Sequence, residues 1–240
     1  MPFKIILAQS NQDLNMKRFF NFFIIILSLT LFSSCFEILE EISLNTDGSG
    51  EVLVTFNLSK SKSKIASIML LDSVNGYKVP SKEDIGKALK EAKNHLKTID
   101  GISNIATTSD FDNYIFTISC DFSSTANLDS VFKDLINKHN KKSKTNFNTT
   151  NFSYSANSFK RLFSYDESIK RNFYKLNSED RKIFEDANYT SIYRFENEVE
   201  KVTNANAKVS PNKKAVFLKV DLMSLILGEK NITNSIQLSK

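Results

Sequence analysis

The sequence predicts an α+β fold in which an antiparallel sheet, built from an N-terminal hairpin and a C-terminal meander, packs against several helices. Three observations predict it. Alternating apolar residues flank an Asp-Gly pair at positions 47 and 48, stretches with apolar residues every three or four positions follow, and alternation returns after residue 190. Because strands and helices come in blocks, a repeating strand-helix-strand unit with a parallel sheet is not expected.

The opening hairpin gives the clearest local signal. Ile42 and Leu44 alternate with polar residues before the turn, and alternating apolar positions follow Gly50 at Val52, Val54, Phe56 and Leu58. An Asp-Gly pair favours the positive φ angles of a tight hairpin turn. Because no strand-to-helix phosphate loop surrounds these glycines, they predict a turn rather than a nucleotide site.

Helices and a second strand pair should follow. Residues 61–74 carry helical apolar spacing, and Ser81 with Asp84 forms a capping box at the start of a second helix. Strands at 102–108 and 113–122 should pair, with Cys120 on the apolar face as a small buried hydrophobe. A third helix presents one apolar face, which consists of Leu128, Val131, Phe132, Leu135 and Ile136.

The second half begins after a polar, basic segment, HNKKSKTNFNTTN at 139–151, which predicts a long loop or an internal linker. A short helix capped by Ser178 should follow. Strands are then predicted at 191–195, 199–209, 215–222 and 232–238. This meander can join the opening hairpin in one sheet and so tie residues 35–240 into one domain.

The N-terminal 35 residues have an ordered pattern of charged, apolar and small residues. A cationic start at residues 16–18 precedes an apolar run from residue 19 to residue 32, which is shorter than the roughly 20 residues that cross a bilayer. Ser33 and Ser34 then precede Cys35. This order resembles the type II signal peptide of bacterial lipoproteins, although Phe32 stands where that pattern usually has Leu.

The resemblance implies that residues 1–34 are a signal peptide and that Cys35 becomes the lipidated N-terminus of the mature protein. Residues 1–15 add nothing that a signal requires, so Met16 is the expected start. The implied location is the bacterial cell envelope, anchored by lipid to the outer membrane on its periplasmic or surface face. Two alternatives stay open: an uncleaved anchor helix, and an ordinary secretory signal in which Cys35 is incidental.

Two stretches of the mature chain carry a second resemblance. LNTDGSGEVLVTF, soon after Cys35, and NAKVSPNKKAVFLKV, near the C-terminus, are similar in pattern to LppM-like extracytoplasmic lipoproteins. The resemblance implies an α+β domain that binds a lipid or glycolipid or helps to maintain the envelope. It carries over no site residue.

Composition argues against several classes of function. The net charge of +5 is too weak to favour nucleic-acid binding. Two histidines, and two cysteines of which Cys35 would be lipidated, do not form a cluster with metal-ligand spacing, so no metal or other cofactor is expected. Hydrolase and metalloprotease motifs are also missing from the sequence. We therefore predict that the protein is not an enzyme; a glycosidase with two distant carboxylates is the enzymatic alternative.

Two serines are candidate modification sites. Ser73 and Ser130 each lie in an Asp-Ser-Val tripeptide, which matches a signal for O-glycosylation of exported proteins in one bacterial phylum. Glu37, Glu40 and Glu41, just after Cys35, resemble an acidic signal for surface export.

The predicted function is that of a non-catalytic envelope lipoprotein that binds a lipid or glycan ligand. Such a binding module should contain an apolar cavity between sheet and helices, rimmed by residues such as Phe159, Phe163, Tyr165 and Tyr174. The alternative is an envelope-assembly or interaction protein, which should expose a flat apolar patch or a sheet edge. The sequence does not identify a protein partner.

Overall fold

The computed structural model describes residues 36–74, 76–139 and 150–240. Within these ranges it contains a seven-stranded sheet, a four-stranded sheet, a two-stranded ribbon and six α-helices, so the predicted α+β class is confirmed. The predicted signal peptide 1–34, Cys35 and nearly all of the predicted linker 139–151 lie outside the described residues.

The strands, in chain order, are β1 (Glu37–Leu44), β2 (Gly50–Asn57), β3 (Ser73–Val74), β4 (Tyr77–Lys78), β5 (Ile102–Asp110), β6 (Ile115–Phe122), β7 (Phe152–Ser155), β8 (Ser158–Arg161), β9 (Asn188–Phe195), β10 (Val199–Val202), β11 (Lys208–Val209), β12 (Ala215–Asp221) and β13 (Asn234–Leu238). The helices are α1 (Lys62–Ile68), α2 (Lys82–Leu96), α3 (Thr125–His139), α4 (Glu167–Lys175), α5 (Ser178–Lys182) and α6 (Leu222–Leu227). The large sheet has the order β11-β12-β9-β1-β2-β6-β5, and the smaller sheet has the order β10-β13-β8-β7.

The opening hairpin forms as predicted. Strands β1 and β2 pair antiparallel from Leu44 opposite Gly50 outward. Gly48 adopts a φ of +86°, and the Asp47 carboxylate accepts a hydrogen bond of 2.9 Å from the Ser49 amide. The Asp-Gly pair therefore closes the hairpin by supplying a left-handed residue and a local acceptor.

The two halves of the chain meet in the large sheet. Strand β9 pairs with β1 in parallel, with Tyr193 beside Ile42, and β12 pairs with β9 antiparallel. The predicted joining of the C-terminal strands to the opening hairpin is thus confirmed, but through a parallel contact. Strands β10 and β13 belong to the smaller sheet, so the predicted meander is divided between two sheets.

Helix starts follow local capping chemistry. The predicted capping box is confirmed, because the Ser81 hydroxyl accepts from the Asp84 amide and the Asp84 carboxylate accepts from the Ser81 amide, each at 3.0 Å. The predicted cap of the later short helix was off by one residue: the Asn177 side chain, not that of Ser178, accepts from the Asp180 amide at 2.9 Å. Asn is among the strongest N-cap residues.

The helix predicted over 61–74 is shorter than expected. Helix α1 ends at Ile68, and Ser73–Val74 instead pairs with Tyr77–Lys78 as a two-stranded ribbon. Leu70 and Leu71, in the turn between α1 and β3, are exposed. A helix in this segment would therefore lack the packed apolar face from which helices in proteins obtain most of their stability.

The two sheets face each other across an aromatic core. Phe159 in β8 contacts the rings of Tyr193 and Phe195 in β9, with centroids 5.2 Å and 5.7 Å apart in edge-on geometry. All three residues are buried. Edge-on aromatic pairs add stabilisation beyond that expected from the apolar area they bury, so these rings hold the smaller sheet against the larger one.

A candidate ligand-binding cavity

An apolar cavity of about 630 Å³ lies between the large sheet and the helices. Its floor is the inner face of β1, β2, β6 and β9, and its walls are formed by α2, α3, α4 and α6. The volume falls within the range of about 300–1,000 Å³ that small-molecule sites occupy. A cavity of the predicted type, between sheet and helices, is therefore present.

The floor follows from the period-two pattern of the strands. Ile38, Val54 and Ile118 occupy inward positions on β1, β2 and β6, and Val54 lies opposite Ile118 in the register. Successive strand residues point to opposite faces of a sheet, so the alternating apolar sequence places one apolar row per strand on the cavity side. Cys120 belongs to the same row and is buried, as predicted.

The wall contributed by α2 follows from helical spacing. Leu89, Ala92 and Leu96 line the cavity and lie three or four residues apart, so they share one helix face. Ala92 is the smallest of them and leaves room beside the sheet. On α3, Val131 and Phe132 continue the same wall.

The opposite wall depends on the short helix α6, which presents Leu222, Leu225 and Ile226 to the cavity. The helix begins where the Asp221 carboxylate accepts from the Ser224 amide at 2.8 Å. Asp221 also pairs with Lys230 at 2.8 Å. Since a helix of six residues cannot form on propensity alone, these caps hold this part of the wall in place.

The mouth of the cavity is lined by apolar side chains that are open to solvent. Phe56 on β2 is 45% exposed and Ile169 on α4 is 40% exposed, and both line the cavity. Large apolar side chains at an accessible opening are typical of grooves that accept apolar ligands.

A polar cluster belongs to the buried part of the cavity lining. Glu40 on β1 and Arg161 on β8 line the cavity although they are only 3% and 6% exposed. The Arg161 Nε atom lies 3.4 Å from Glu40 Oε1, and the Tyr193 hydroxyl donates to the same oxygen at 2.7 Å. A buried ion pair thus joins the two sheets at the cavity floor.

Arg161 is held by several further contacts. Its Nη1 donates to the Leu162 carbonyl at 2.6 Å, and its guanidinium lies 4.5 Å from the centre of the Phe152 ring. Burial acts to lower the pKa of Arg161, but the negative charge of Glu40 and the smaller contributions of Tyr189 and Tyr193 together outweigh burial and raise it. The guanidinium therefore stays charged and its orientation is fixed.

The neighbouring hydroxyl and thiol groups stay protonated. Burial, followed by the charge of Glu40, raises the pKa values of Tyr189 and Tyr193, so both phenols remain donors. Burial also raises the pKa of Cys120 to about 11. Because the thiolate is the reactive form, Cys120 is a poor nucleophile at neutral pH.

The predicted rim residues divide into two groups. Phe163 lines the cavity, as predicted. The other three do not: Phe159 is fully buried in the core between the sheets, the Tyr165 hydroxyl donates to the Ile226 carbonyl at 2.9 Å, and Tyr174 is exposed and stacks edge-on against Phe173. Sequence pattern alone did not separate core aromatics from cavity aromatics.

Glu40 and Arg161 were missed as cavity residues. The three acidic residues after Cys35 are all part of β1: Glu41 pairs with Arg194 at 2.8 Å, and Glu37 accepts from the Thr190 hydroxyl at 2.6 Å. The sequence did contain a signal for Glu40. It lies two residues from both Ile38 and Ile42, so it shares their inward-facing side of β1.

The remaining predicted sites lie away from the cavity. Ser73 in β3 and Ser130 in α3 are exposed, and the Ser130 hydroxyl donates to the Ala126 carbonyl at 3.1 Å. In the described ranges, His, Cys, Asp and Glu side chains form no group of three or more that could hold a metal ion. Nor does any helix in the described part of the chain have the length and apolar character needed to cross a membrane.

The fold and the site together define an α+β domain with an internal apolar cavity. Among solved structures, the chain is similar to the NMR structure of the folded domain of the Mycobacterium tuberculosis LppM protein, with a TM-score of 0.39 and 12% sequence identity. The likeness covers 86% of this chain and 90% of that one. No protein-family profile matches the chain. No curated protein matches it either.

Proposed function

We propose that residues 35–240 are the mature part of a membrane-anchored envelope lipoprotein that binds a lipid or another apolar molecule without acting on it chemically. The observation that carries this proposal is the cavity itself: about 630 Å³ of apolar space whose lining includes the partly exposed side chains of Phe56 and Ile169. Closed cores rarely contain voids larger than a water molecule, so a space of this size points to an occupant.

The anchor part of the proposal rests on the N-terminal sequence. Cys35 stands two residues before the start of β1, so a lipid on Cys35 would hold the large sheet close to a membrane surface. Two or three acyl chains, at about 0.8 kcal/mol per buried methylene, make a durable anchor, whereas one chain does not. Such an anchor would bring the cavity within reach of lipid.

The non-catalytic part rests on the state of the groups that line the cavity. Glu40 is committed to Arg161 and Tyr193, and the raised pKa of Cys120 keeps its thiol protonated. General acid-base and nucleophilic catalysis need a group poised to exchange a proton near the working pH. The protonated Cys120 thiol is not such a group.

Binding is tested with the uncharged dye N-phenyl-1-naphthylamine, whose fluorescence rises in apolar surroundings. We expect the mature domain to bind the dye and Ala92→Phe, which fills the cavity from α2, to weaken binding about tenfold or more. The matched control is Ala88→Phe, because Ala88 is exposed on the same helix and does not line the cavity. Equal binding by both variants, or no binding by the wild type, contradicts the proposal.

Anchoring is tested by metabolic labelling with palmitate and by the mass of the processed chain. We expect label in the wild type and in Cys120→Ala, and none in Cys35→Ala. A wild-type chain that is unlabelled, whether retained whole or cut elsewhere, would contradict the lipoprotein assignment and leave the cavity proposal untouched.

One observation favours the second candidate, an envelope-assembly or interaction protein. Leu70 and Leu71 are exposed side by side in the turn between α1 and β3, away from the cavity. A photo-crosslinking residue at position 70 should then give one discrete adduct in cells. The same residue at the exposed position 88 should give none; adducts of equal strength at both positions, or at neither, argue against this candidate.

A further inference from the structure

We infer that the Glu40–Arg161 pair is the recognition site for the polar end of the ligand, and that this end is an uncharged hydroxyl group on an otherwise apolar molecule. The inference rests on the proposed function, since it assigns a chemical class to the molecule in the cavity. It makes the ligand a lipid alcohol rather than a fatty acid or a cationic lipid, held with its polar end inward.

The direction of the ligand follows from the exposure along the cavity. The apolar lining residues Phe56 and Ile169 are partly exposed, whereas Glu40 and Arg161 belong to the buried part of the lining. A lipid held only by its chains would keep its head group in water and would meet apolar atoms inside. Here the buried part of the lining contains a charged pair, so the polar end of the ligand belongs beside that pair.

The hydrogen-bonding capacity of the cluster is not used up by the protein. The Arg161 Nε atom and the Tyr189 hydroxyl are buried and make no hydrogen bond of good geometry to any described residue. Glu40 Oε1 accepts the hydrogen bond from the Tyr193 hydroxyl and is also the oxygen that faces Arg161 Nε. A carboxylate offers about four acceptor positions, so these two contacts use only part of its capacity. Two donors that lie near Glu40 without well-formed hydrogen bonds and a partly used acceptor therefore line the same space.

These groups select for a ligand group that both donates and accepts. A hydroxyl can accept from Arg161 Nε or from Tyr189 and can donate to Glu40. An ester or ketone could satisfy the donors but not the acceptor. Because a buried polar group without a partner is costly, the hydroxyl is the better match for this set.

The charges of the cluster select against ionised head groups. Glu40 and Arg161 neutralise each other, so a ligand carboxylate would be buried beside Glu40 without a free cation, and a ligand ammonium would be buried beside Arg161 without a free anion. Like charges in a buried site repel strongly, and an unpaired buried charge is expensive. An uncharged head avoids both costs.

The test uses three probes with the same chain and different ends: decan-1-ol, decanoate and decane. Each displaces N-phenyl-1-naphthylamine from the wild-type domain at pH 8. Hydrogen bonds to charged groups are the stronger ones, so we expect decan-1-ol to displace the dye at a concentration about tenfold or more below that of the other two. Equal displacement by all three, or a preference for decanoate, overturns the inference while the proposed function stands.

Two variants test whether the preference for decan-1-ol depends on Glu40, Arg161 and Tyr189. In Glu40→Leu/Arg161→Met, the preference for decan-1-ol should vanish while decane still displaces the dye. Tyr189→Phe, which removes one hydroxyl, should reduce the preference severalfold and keeps the test valid if the double variant does not fold. Tyr114→Phe is the matched control, because Tyr114 and Tyr189 are both 8% exposed but Tyr114 does not line the cavity. An unchanged preference in Tyr189→Phe and in the double variant overturns the inference, and failure of the wild type to bind the dye at all overturns the proposed function as well.

Discussion

Replacing Arg161 by Met should expose how much the fold depends on the buried ion pair. The change removes the cation that faces Glu40 and keeps an unbranched side chain of similar length, so packing between the sheets is largely retained. The Glu40 carboxylate, which is almost fully buried, is left with the Tyr193 hydroxyl as its hydrogen-bond partner in the described structure.

The magnitude follows from that orphaned charge. Removing one partner of a buried ion pair costs about 3–5 kcal/mol in free energy of unfolding. Since small domains are stable by about 5–15 kcal/mol, Arg161→Met should still fold but with a large loss. Glu40→Leu/Arg161→Met removes both charges and leaves the Tyr193 hydroxyl without its acceptor, which costs about 1–3 kcal/mol. The double variant should therefore be more stable than the single one.

Urea unfolding followed by circular dichroism measures both effects. The control is Lys87→Met, which breaks an ion pair of 2.8 Å with Glu83 on the exposed face of α2 and should change stability by about 0.5 kcal/mol or less. A cost of less than about 1 kcal/mol for Arg161→Met would refute the reasoning, because the pair would then not be desolvated. So would a double variant no more stable than the single one.

Two further predictions concern the wall formed by α6. Burial acts to raise the pKa of Asp221, but hydrogen bonds led by that from Lys230 outweigh burial and lower it to about 2 from 3.8. The ionised Asp221 therefore stabilises the fold fully above pH 4, and this stabilisation is lost as the pH falls towards 2. The difference in urea midpoint between the wild type and Asp221→Asn should shrink over that interval. A difference that stays constant contradicts this prediction. Gly228 has a φ of +74°, and an added Cβ would lie 2.7 Å from the Tyr165 ring, so Gly228→Ala should cost about 2 kcal/mol or more in the same assay. Gly86→Ala, inside α2 with open space around it, should instead leave stability unchanged or raise it by up to about 1 kcal/mol, and equal effects at the two glycines would contradict this account.

Local chemistry made much of the fold predictable. The hairpin around Asp47 and Gly48 and the capping box of Ser81 and Asp84 are both decided by residues within a few positions of each other, and both form as expected. The burial of Cys120 followed from the period-two pattern of β6. Each of these rules acts within one element or one turn.

The pairing of strands that lie far apart in the sequence could not be predicted in this way. The parallel contact of β1 with β9 joins residues about 150 positions apart, as in the hydrogen bond between Tyr193 and Glu40. The hairpin of β7 and β8 has strands of only four residues, and helix α4 has nine residues, so both depend on the surface that the rest of the protein offers. For the same reason, the segment at 69–72 did not continue α1.

The site shows the same division. The apolar cavity could be anticipated as a consequence of an amphipathic sheet under amphipathic helices. Its rim could not, because Phe159 and Phe163 look alike in sequence, yet Phe159 is fully buried between the sheets and Phe163 lines the cavity. Glu40 could be recognised from the sequence, because it is a charged residue at a position where the alternation of β1 requires an inward-facing side chain. Its partner was not, since nothing in the sequence near Arg161 indicates a carboxylate on β1.

The Glu40–Arg161 pair could serve the fold, the ligand or both, and the two roles separate experimentally. A pair that only joins the sheets would be expected to have its hydrogen bonds completed within the protein. Apolar residues of similar size often replace such a buried pair without loss of stability. Here the pair borders an apolar cavity, and Arg161 Nε and the Tyr189 hydroxyl make no well-formed hydrogen bond within the described structure. Unfilled hydrogen-bonding capacity at the end of a cavity is costly to maintain unless a ligand completes it. The stability of the single and double variants therefore reports the structural role, and the loss of alcohol preference at unchanged decane binding reports the recognition role.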